Sequence, residues 1–169
     1  MYFVYYGEVE VLILPLFIQS LLVTNINILM KARKIDTLKA LSLLTSINYN
    51  TLKCWMSYAK IPRLSSLDRM CDELGIETYM LFHPNPDFSK IDSLPKNNSR
   101  EKIRINLIVF LRDKFKTTSS DKVLSEFEGL ISRDAYISYI RPQNGRQMPL
   151  NILYQISLYL SIEPYQLLM

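Results

Sequence analysis

The chain has 169 residues, 49% of them apolar, which suits one ordinary domain or two small ones and excludes wholesale disorder. Four glycines leave no phosphate-cradling glycine loop, and two cysteines exclude a disulfide framework and fit a reducing compartment. The net charge of +4 permits a nucleic-acid partner without requiring one, and the basic residues are unevenly placed: none precedes Lys31, whereas Glu8 and Glu10 lie in that first stretch.

Residues 1–25 open with MYFVYYGEVEV, loosely alternating and rich in Tyr and Val, so a strand is one expectation. LILPLFIQSLLV follows. A signal peptide would start positively, and this segment does not. A spanning helix needs about 20 mostly apolar residues. Residues 11–30 have that length, but Pro15, Gln19, Ser20, Thr24, Asn25 and Asn27 interrupt it. The segment is read as an apolar N-terminal extension that packs on the core or mediates dimerisation.

Residues 26–33 are predicted helix 1, with Ile26, Leu29 and Met30 on one face. Lys31, Arg33 and Lys34 crowd its end, where cations favour the helix dipole. Thr37 is placed to cap helix 2, TLKALSLL, whose inward stripe is Leu38, Leu41 and Leu44. Thr45, Ser46 and Ile47 form a turn. Asn48 then caps helix 3, NYNTLKCWM, in which Leu52 and Trp55 face inward and Tyr49, Asn50, Lys53 and Cys54 face outward. Pro62 falls in the next loop. Ser65 or Ser66 opens helix 4, with Leu67, Met70, Cys71 and Leu74 on its apolar side. Gly75 ends that helix as a residue free to take positive φ, and residues 76–82 read as a short final helix.

Two short helices joined by a tight turn, with the second capped by Asn48 and bolted down by Leu52 and Trp55, resemble the phage-repressor (Cro-type, XRE) helix-turn-helix family. The resemblance covers residues 26–82. Thr37, Ile47, Thr51-Leu52, Trp55 and the closing LGI and LF runs fall at family spacing. Two positions depart: the usual turn glycine is Ser46, and the usual small Ala of helix 2 is Ser42. Ser46 would have to accept a less favourable backbone.

Residues 84–101, with three prolines and several serines, read as a linker that could extend to about 60 Å. Residues 102–169 then repeat the plan. INLIVFLRDKF parallels INILMKARK, pairing Ile105 and Asn106 with Ile26 and Asn27, and Arg112 with Arg33. Ser120 or Asp121 begins a second helix 2, with Val123, Leu124 and Phe127 inward and Gly129 near the turn. Ser132 caps RDAYISYI, where Tyr136 and Tyr139 replace Leu52 and Trp55. LNILYQISLYLSIEPYQLLM parallels LDRMCDELGIETYMLF, with Ser161 in place of Gly75.

The expected fold is therefore all-α: two tandem lambda-repressor-like helix-turn-helix units at residues 26–83 and 102–169, after an apolar extension at 1–25 and joined by a linker at 84–101. The resemblance implies a recognition helix that offers Asn48, Tyr49, Asn50, Thr51, Lys53 and Cys54 to the major groove of double-stranded DNA. Asn50 would bond adenine's edge, and Lys53 would reach guanine or phosphate. Lys31, Arg33, Lys34 and Lys60 would hold phosphates, which position without reading sequence. In the second unit Arg133, Ser138, Arg141, Asn144 and Arg146 are the candidates, although Asp134 would repel phosphate and Ile137 is an odd residue to leave in solvent. One chain would then act as a pseudo-dimer on half-sites about 34 Å apart.

Catalysis finds little support. His83 is the only histidine, and Cys54 and Cys71 lack a second ligand pair for zinc. No catalytic residue, metal or cofactor is expected. The resemblance implies a cytoplasmic transcription regulator, most directly a repressor on a phage or mobile element. The rival reading is a protein-interaction module, a phage-type inhibitor or adaptor that uses the same scaffold through its N-terminal segment or the Ile137 face. A homodimer is compatible with either reading. A regulator tethered to a membrane through residues 11–30 is a third.

Overall fold

The computed structural model describes residues 10–89, 96–116, 122–123, 125, 130–142 and 145–169, with side chains from Phe17 onward. Every regular element among them is helical, so the protein is all-α. The strand expected in the first eleven residues lies outside the described residues as far as position 9, and the chain is helical from Glu10. The expectations on Ser120, Asp121, Leu124, Phe127, Gly129 and Asn144 also lie outside them.

The first helix, α1, runs Glu10–Ala32 and so starts well before residue 26. Ile18, Leu22, Ile26 and Leu29 follow one another at three- and four-residue steps and are all buried, so the apolar stripe crosses residue 25 without a break. Two of the polar residues that interrupt this run, Gln19 and Asn25, are buried and bonded inside the fold, while Ser20, Thr24 and Asn27 are exposed. Gln19 is buried and donates its side-chain amide to the carbonyl of Lys60 (3.2 Å) and, at longer range, to that of Trp55 (3.4 Å). Asn25 donates to Leu81 O (3.0 Å) and His83 O (2.9 Å). These bonds tie α1 to the chain at residues 55–60 and 81–83. No helix among the described residues is long and apolar enough to cross a membrane.

Helix α2, Leu38–Thr45, is capped by Thr37, whose hydroxyl accepts from Ala40 N (3.1 Å). Leu41 is buried, but Leu44, expected inside, is 53% exposed. The inner place one turn after Leu41 goes to Thr45, whose hydroxyl donates back to Leu41 O (2.7 Å) and so can be buried beside an apolar core. Ser46 takes the left-handed conformation, φ 53° and ψ 19°. Ser42 reaches across this turn and donates to Ile47 O (2.6 Å). A Cβ in the left-handed region costs about 1–2 kcal/mol, part of which glycine returns through its looser unfolded chain. Ser46→Gly should therefore stabilise the protein by about 0.5–1 kcal/mol, a rise of about 1–4 °C in Tm. An unchanged or lower melting temperature would show that the serine side chain compensates for its backbone.

Helix α3 spans Tyr49–Met56 and α4 spans Leu64–Leu74. Helix α4 starts ahead of Ser65 and Ser66, directly after Pro62-Arg63, and has no side-chain cap. It ends on Gly75 at φ 63°, as expected. Of residues 76–82, expected as a short helix, Thr78–Phe82 form a 3₁₀ turn. Between the halves, Phe88 and Ser99 are buried. Helix α5, Ser99–Phe115, is capped by Asn98, which accepts from Glu101 N (3.2 Å). Helices α6, Arg133–Ile140, and α7, Leu150–Leu160, follow, and the final 3₁₀ turn is Pro164–Leu167.

Among the described residues one apolar core runs from Ile18 to Leu168 and includes residues of each helix from α1 to α7. The contacts between the halves come in matching pairs. Helix α1 packs on α7 and α5 packs on α4, while the two 3₁₀ turns pack on each other. At the first joint Phe17 meets Tyr154 with ring centroids 5.5 Å apart. At the second, the position matching Tyr154 is Asp68, whose carboxylate accepts from Ser99 N (3.1 Å), Ser99 Oγ and Thr78 Oγ1 (2.8 Å). Across the turns, the His83 and Tyr165 rings meet with centroids 4.6 Å apart and planes tilted by 60°.

The pairing of the two halves differs from the sequence alignment by two residues. Asn106 donates to Leu167 O (3.2 Å), and Leu167 holds the place in its 3₁₀ turn that Leu81 holds in the first. Asn106 therefore corresponds to Asn25. Asn27 and Ile105, the matches suggested by the IN dipeptides, are both exposed.

Candidate nucleic-acid interface

Helix α3 is held from behind. Leu52 and Trp55 are buried, and Asn48 caps the helix by accepting from Asn50 N (2.8 Å). Eight residues make only two turns, so this side-chain cap satisfies a backbone donor that the short helix cannot. The opposite face is open. Asn48, Tyr49, Asn50 and Lys53 are exposed, while Thr51 and Cys54 are half-buried. Tyr49 lies beside Thr37, Leu38 and Lys39, so the starts of α2 and α3 share one shallow groove of about 550 Å³. The arrangement presents an amide, an ammonium and a phenol on one ridge, beside the capped starts of α2 and α3. That is a set of donors and acceptors suited to base edges and phosphates.

The other predicted residues of the first half lie outside α3, although Lys60 N donates to Cys54 O (3.2 Å). Lys31 is exposed on the last turn of α1, and Arg33 is half-buried just after it. Lys60 is exposed beyond the end of α3, where its carbonyl is fixed by Gln19. Sequence reasoning missed Lys39, the one basic residue of α2. Its position two residues after a capping threonine was the available signal.

The second half builds a related ridge on α6. Ser132 caps it, accepting from Ala135 N (3.3 Å), and Tyr136 and Tyr139 are buried behind it. Burial pushes both phenols above their ordinary range, and the guanidinium of Arg146 pulls Tyr139 partly back, so both are neutral near pH 7. Ser132, Asp134, Ile137, Ser138, Arg141 and Arg146 line one groove of about 570 Å³. Three of the five predicted residues, Ser138, Arg141 and Arg146, thus come together; Arg133 is exposed on the same short helix, and Asn144 lies outside the described residues. Ile137 is half-buried and packs on the core, which removes the oddity of an isoleucine in solvent.

This second ridge is internally tied. Ser138 Oγ accepts from Arg146 N (2.9 Å), so part of its capacity is already used. A guanidinium nitrogen of Arg100, from the first turn of α5, donates to Arg141 O (3.0 Å) and at longer range to Pro142 O (3.5 Å). A Cβ at Gly145 would fall 2.4 Å from Ser138 O and 2.7 Å from Arg100, so only glycine lets the loop close this tightly on α6. No local pattern flagged Arg100, because its partner lies on a distant loop.

Of the two cysteines, Cys71 is fully buried, and that burial pushes its thiol well above the ordinary range. It is a core side chain. Cys54 is half-buried on the flank of α3.

Residues 25–86 match the family model described as a Cro/C1-type HTH DNA-binding domain. Neither a curated protein nor a solved structure matches the chain.

Proposed function

We propose that this chain, which carries a Cro/C1-type helix-turn-helix DNA-binding domain at residues 25–86, is a sequence-specific transcription regulator. Its target is double-stranded DNA, and its mode is repression by occlusion on a phage or mobile-element promoter in the cytoplasm. The observation that carries this reading is α3: a two-turn helix buried at Leu52 and Trp55 that turns Asn50 and Lys53 to solvent.

The second half, residues 102–169, is a second unit of the same plan. Support comes from the shared role of Asn25 and Asn106, the capped α6 over buried tyrosines, and the matched packing of α1 on α7 and α5 on α4. Residues 17–25 of α1 belong to the joint between the units. The chain is then a covalent pseudo-dimer. Its faces are already occupied by each other, so it binds an asymmetric operator as a monomer. The two ridges are unequal: α3 reads bases, while α6, with Asp134 and a committed Ser138, holds backbone through Arg133, Arg141 and Arg146.

Selection from a random pool of duplex DNA at near-physiological salt tests the reading, with the stoichiometry of the purified complex measured alongside. An enriched motif bound by one chain is expected. Asn50→Ala should cost about 1–3 kcal/mol on that motif and relax specificity at one position; Lys53→Ala, on phosphate, should weaken all sequences alike and lower the salt slope by about 1. Equal affinity of Asn50→Ala for every sequence would remove Asn50 from the reading set. The exposed Leu43 and Leu44 of α2 favour a second reading, a protein-binding module. Absence of any DNA binding would turn the search to a protein partner on that face.

A further inference from the structure

The loop before α4 and the loop before α7 are the same element of the two halves, and they meet. Ile61, Pro62 and Arg63 face Arg146, Gln147 and Met148 across a cleft of about 670 Å³, floored by the first residues of α4 and α7. The cleft is built twice from one plan, so it lies where a two-fold axis relating the halves would pass. It adjoins both ridges. Arg146 lines the cleft and the α6 groove alike, and Ile61 follows directly on Lys60 beyond the end of α3.

Its charge is of one sign. Arg63 and Arg146 are exposed, neither joins an ion pair among the described residues, and no described residue lining the cleft is acidic. Two helix starts add to this. Leu64-Ser65 and Leu150-Asn151 are the first residues of eleven-residue helices that no side chain caps. Their dipoles put partial positive charge on the same wall. Apolar Ile61, Pro62, Met148 and Pro149 shape the opening, and Gln147 adds a neutral donor. An open, wide, basic trough between two reading ridges fits an extended polyanion rather than a small ion.

We infer that this cleft is a third DNA contact, which clamps the phosphodiester backbone of the duplex midway between the segments under α3 and α6, with Arg63 and Arg146 as the phosphate-binding side chains. The inference rests on the reading of the chain as a double-stranded DNA binder. Its consequence is that the spacing between the two half-sites is set by the cleft and not by a free linker. Base identity at the centre would matter only through how easily that stretch bends or narrows.

The experiment compares the full chain with Arg63→Ala/Arg146→Ala, with the charge-keeping Arg63→Lys/Arg146→Lys, and with Arg69→Ala. Arg69 is an exposed arginine of α4 that does not line the cleft. Each is titrated with the selected duplex from low to high salt, and thermal melting checks that it is folded. Each phosphate contact contributes about 0.9 to the salt slope, or about eightfold in affinity at 0.1 M salt relative to 1 M. The double alanine variant should therefore bind about sixtyfold more weakly at 0.1 M and lose about 1.8 from the slope, equally on matched and mismatched sequences. The double lysine variant should keep most of the slope, and Arg69→Ala should be unchanged. Hydroxyl-radical footprinting should show central backbone protection that disappears only in the double alanine variant. If the parent binds its site and the folded double alanine variant loses no more than about 0.9 from the slope, which Arg146 on the α6 ridge alone accounts for, or keeps the central footprint, the cleft inference is wrong while the DNA reading stands. If the parent binds no duplex at all, both fall together.

Discussion

Trp55→Ala should lower stability by about 3–5 kcal/mol, the range for removing a large buried aromatic side chain. Trp55 is 2% exposed and sits in the last turn of α3, and its carbonyl also faces the amide of Gln19 from α1. The indole is thus the main anchor between α3 and the body of the protein. A domain with about 5–15 kcal/mol of total stability would be left marginal. Urea denaturation is the measurement: the midpoint should fall steeply with little change in slope. DNA binding should fail together with the fold, in contrast to Asn50→Ala, which should leave the melting curve alone. Tyr139→Ala, at the matching place on α6, should cost less, because Tyr139 is 9% exposed and its phenol edge reaches the Arg146 side. A Trp55→Ala loss below about 1 kcal/mol would mean that α3 is seated by something other than this side chain.

Asp68→Ala should cost about 2–4 kcal/mol, and its effect should concentrate at the joint between the halves. One buried carboxylate accepts from Thr78 Oγ1, Ser99 N and Ser99 Oγ, so it links α4, the first 3₁₀ turn and the start of α5. Removing it leaves three donors without a partner in a place water reaches poorly, and it removes a negative charge from the N-terminal end of α5. A second link lies next to it. Asn97 accepts from Thr78 N (2.9 Å) and donates to Asp72 Oδ1 (2.9 Å) and Ile76 O (2.9 Å). Asn97→Ala combined with Asp68→Ala should therefore be non-additive, since both act through Thr78. Hydrogen exchange should speed up first in the opening turn of α5. Unchanged exchange there, with stability within about 0.5 kcal/mol of the parent, would show that the apolar core alone holds the halves together.

The first half was legible because its signals are local. Thr37 and Asn48 are capping residues at the starts of short apolar-periodic runs, and both hydroxyl and amide cap as expected. Gly75 marks a left-handed helix end, and Leu52 with Trp55 marks an inward face. Even the departure at Ser46 was readable, since the turn needs a left-handed residue whatever the side chain. Two expectations fail, each for its own physical reason. Leu44 was placed inside because leucine outranks threonine on any hydrophobic scale, yet Thr45 can be buried once its hydroxyl finds Leu41 O. Asn106 was aligned with Asn27 because the dipeptides look alike, yet helical phase decides which residue faces the core, and that residue is Asn25.

Sequence by itself determined that this is an all-α protein with a helix-turn-helix in its first half and an outward face of Tyr49, Asn50 and Lys53. Caps, turns and apolar periodicity act within a few residues along the chain, so their meaning survives without the fold. Only the tertiary structure decided what the polar residues of α1 are for, how α1 closes on α7, how Asp68 takes hold of α5, and that Arg63 and Arg146 face each other across one cleft. Those arrangements depend on carbonyls and charges far apart in sequence, and packing alone brings them within hydrogen-bonding or electrostatic reach.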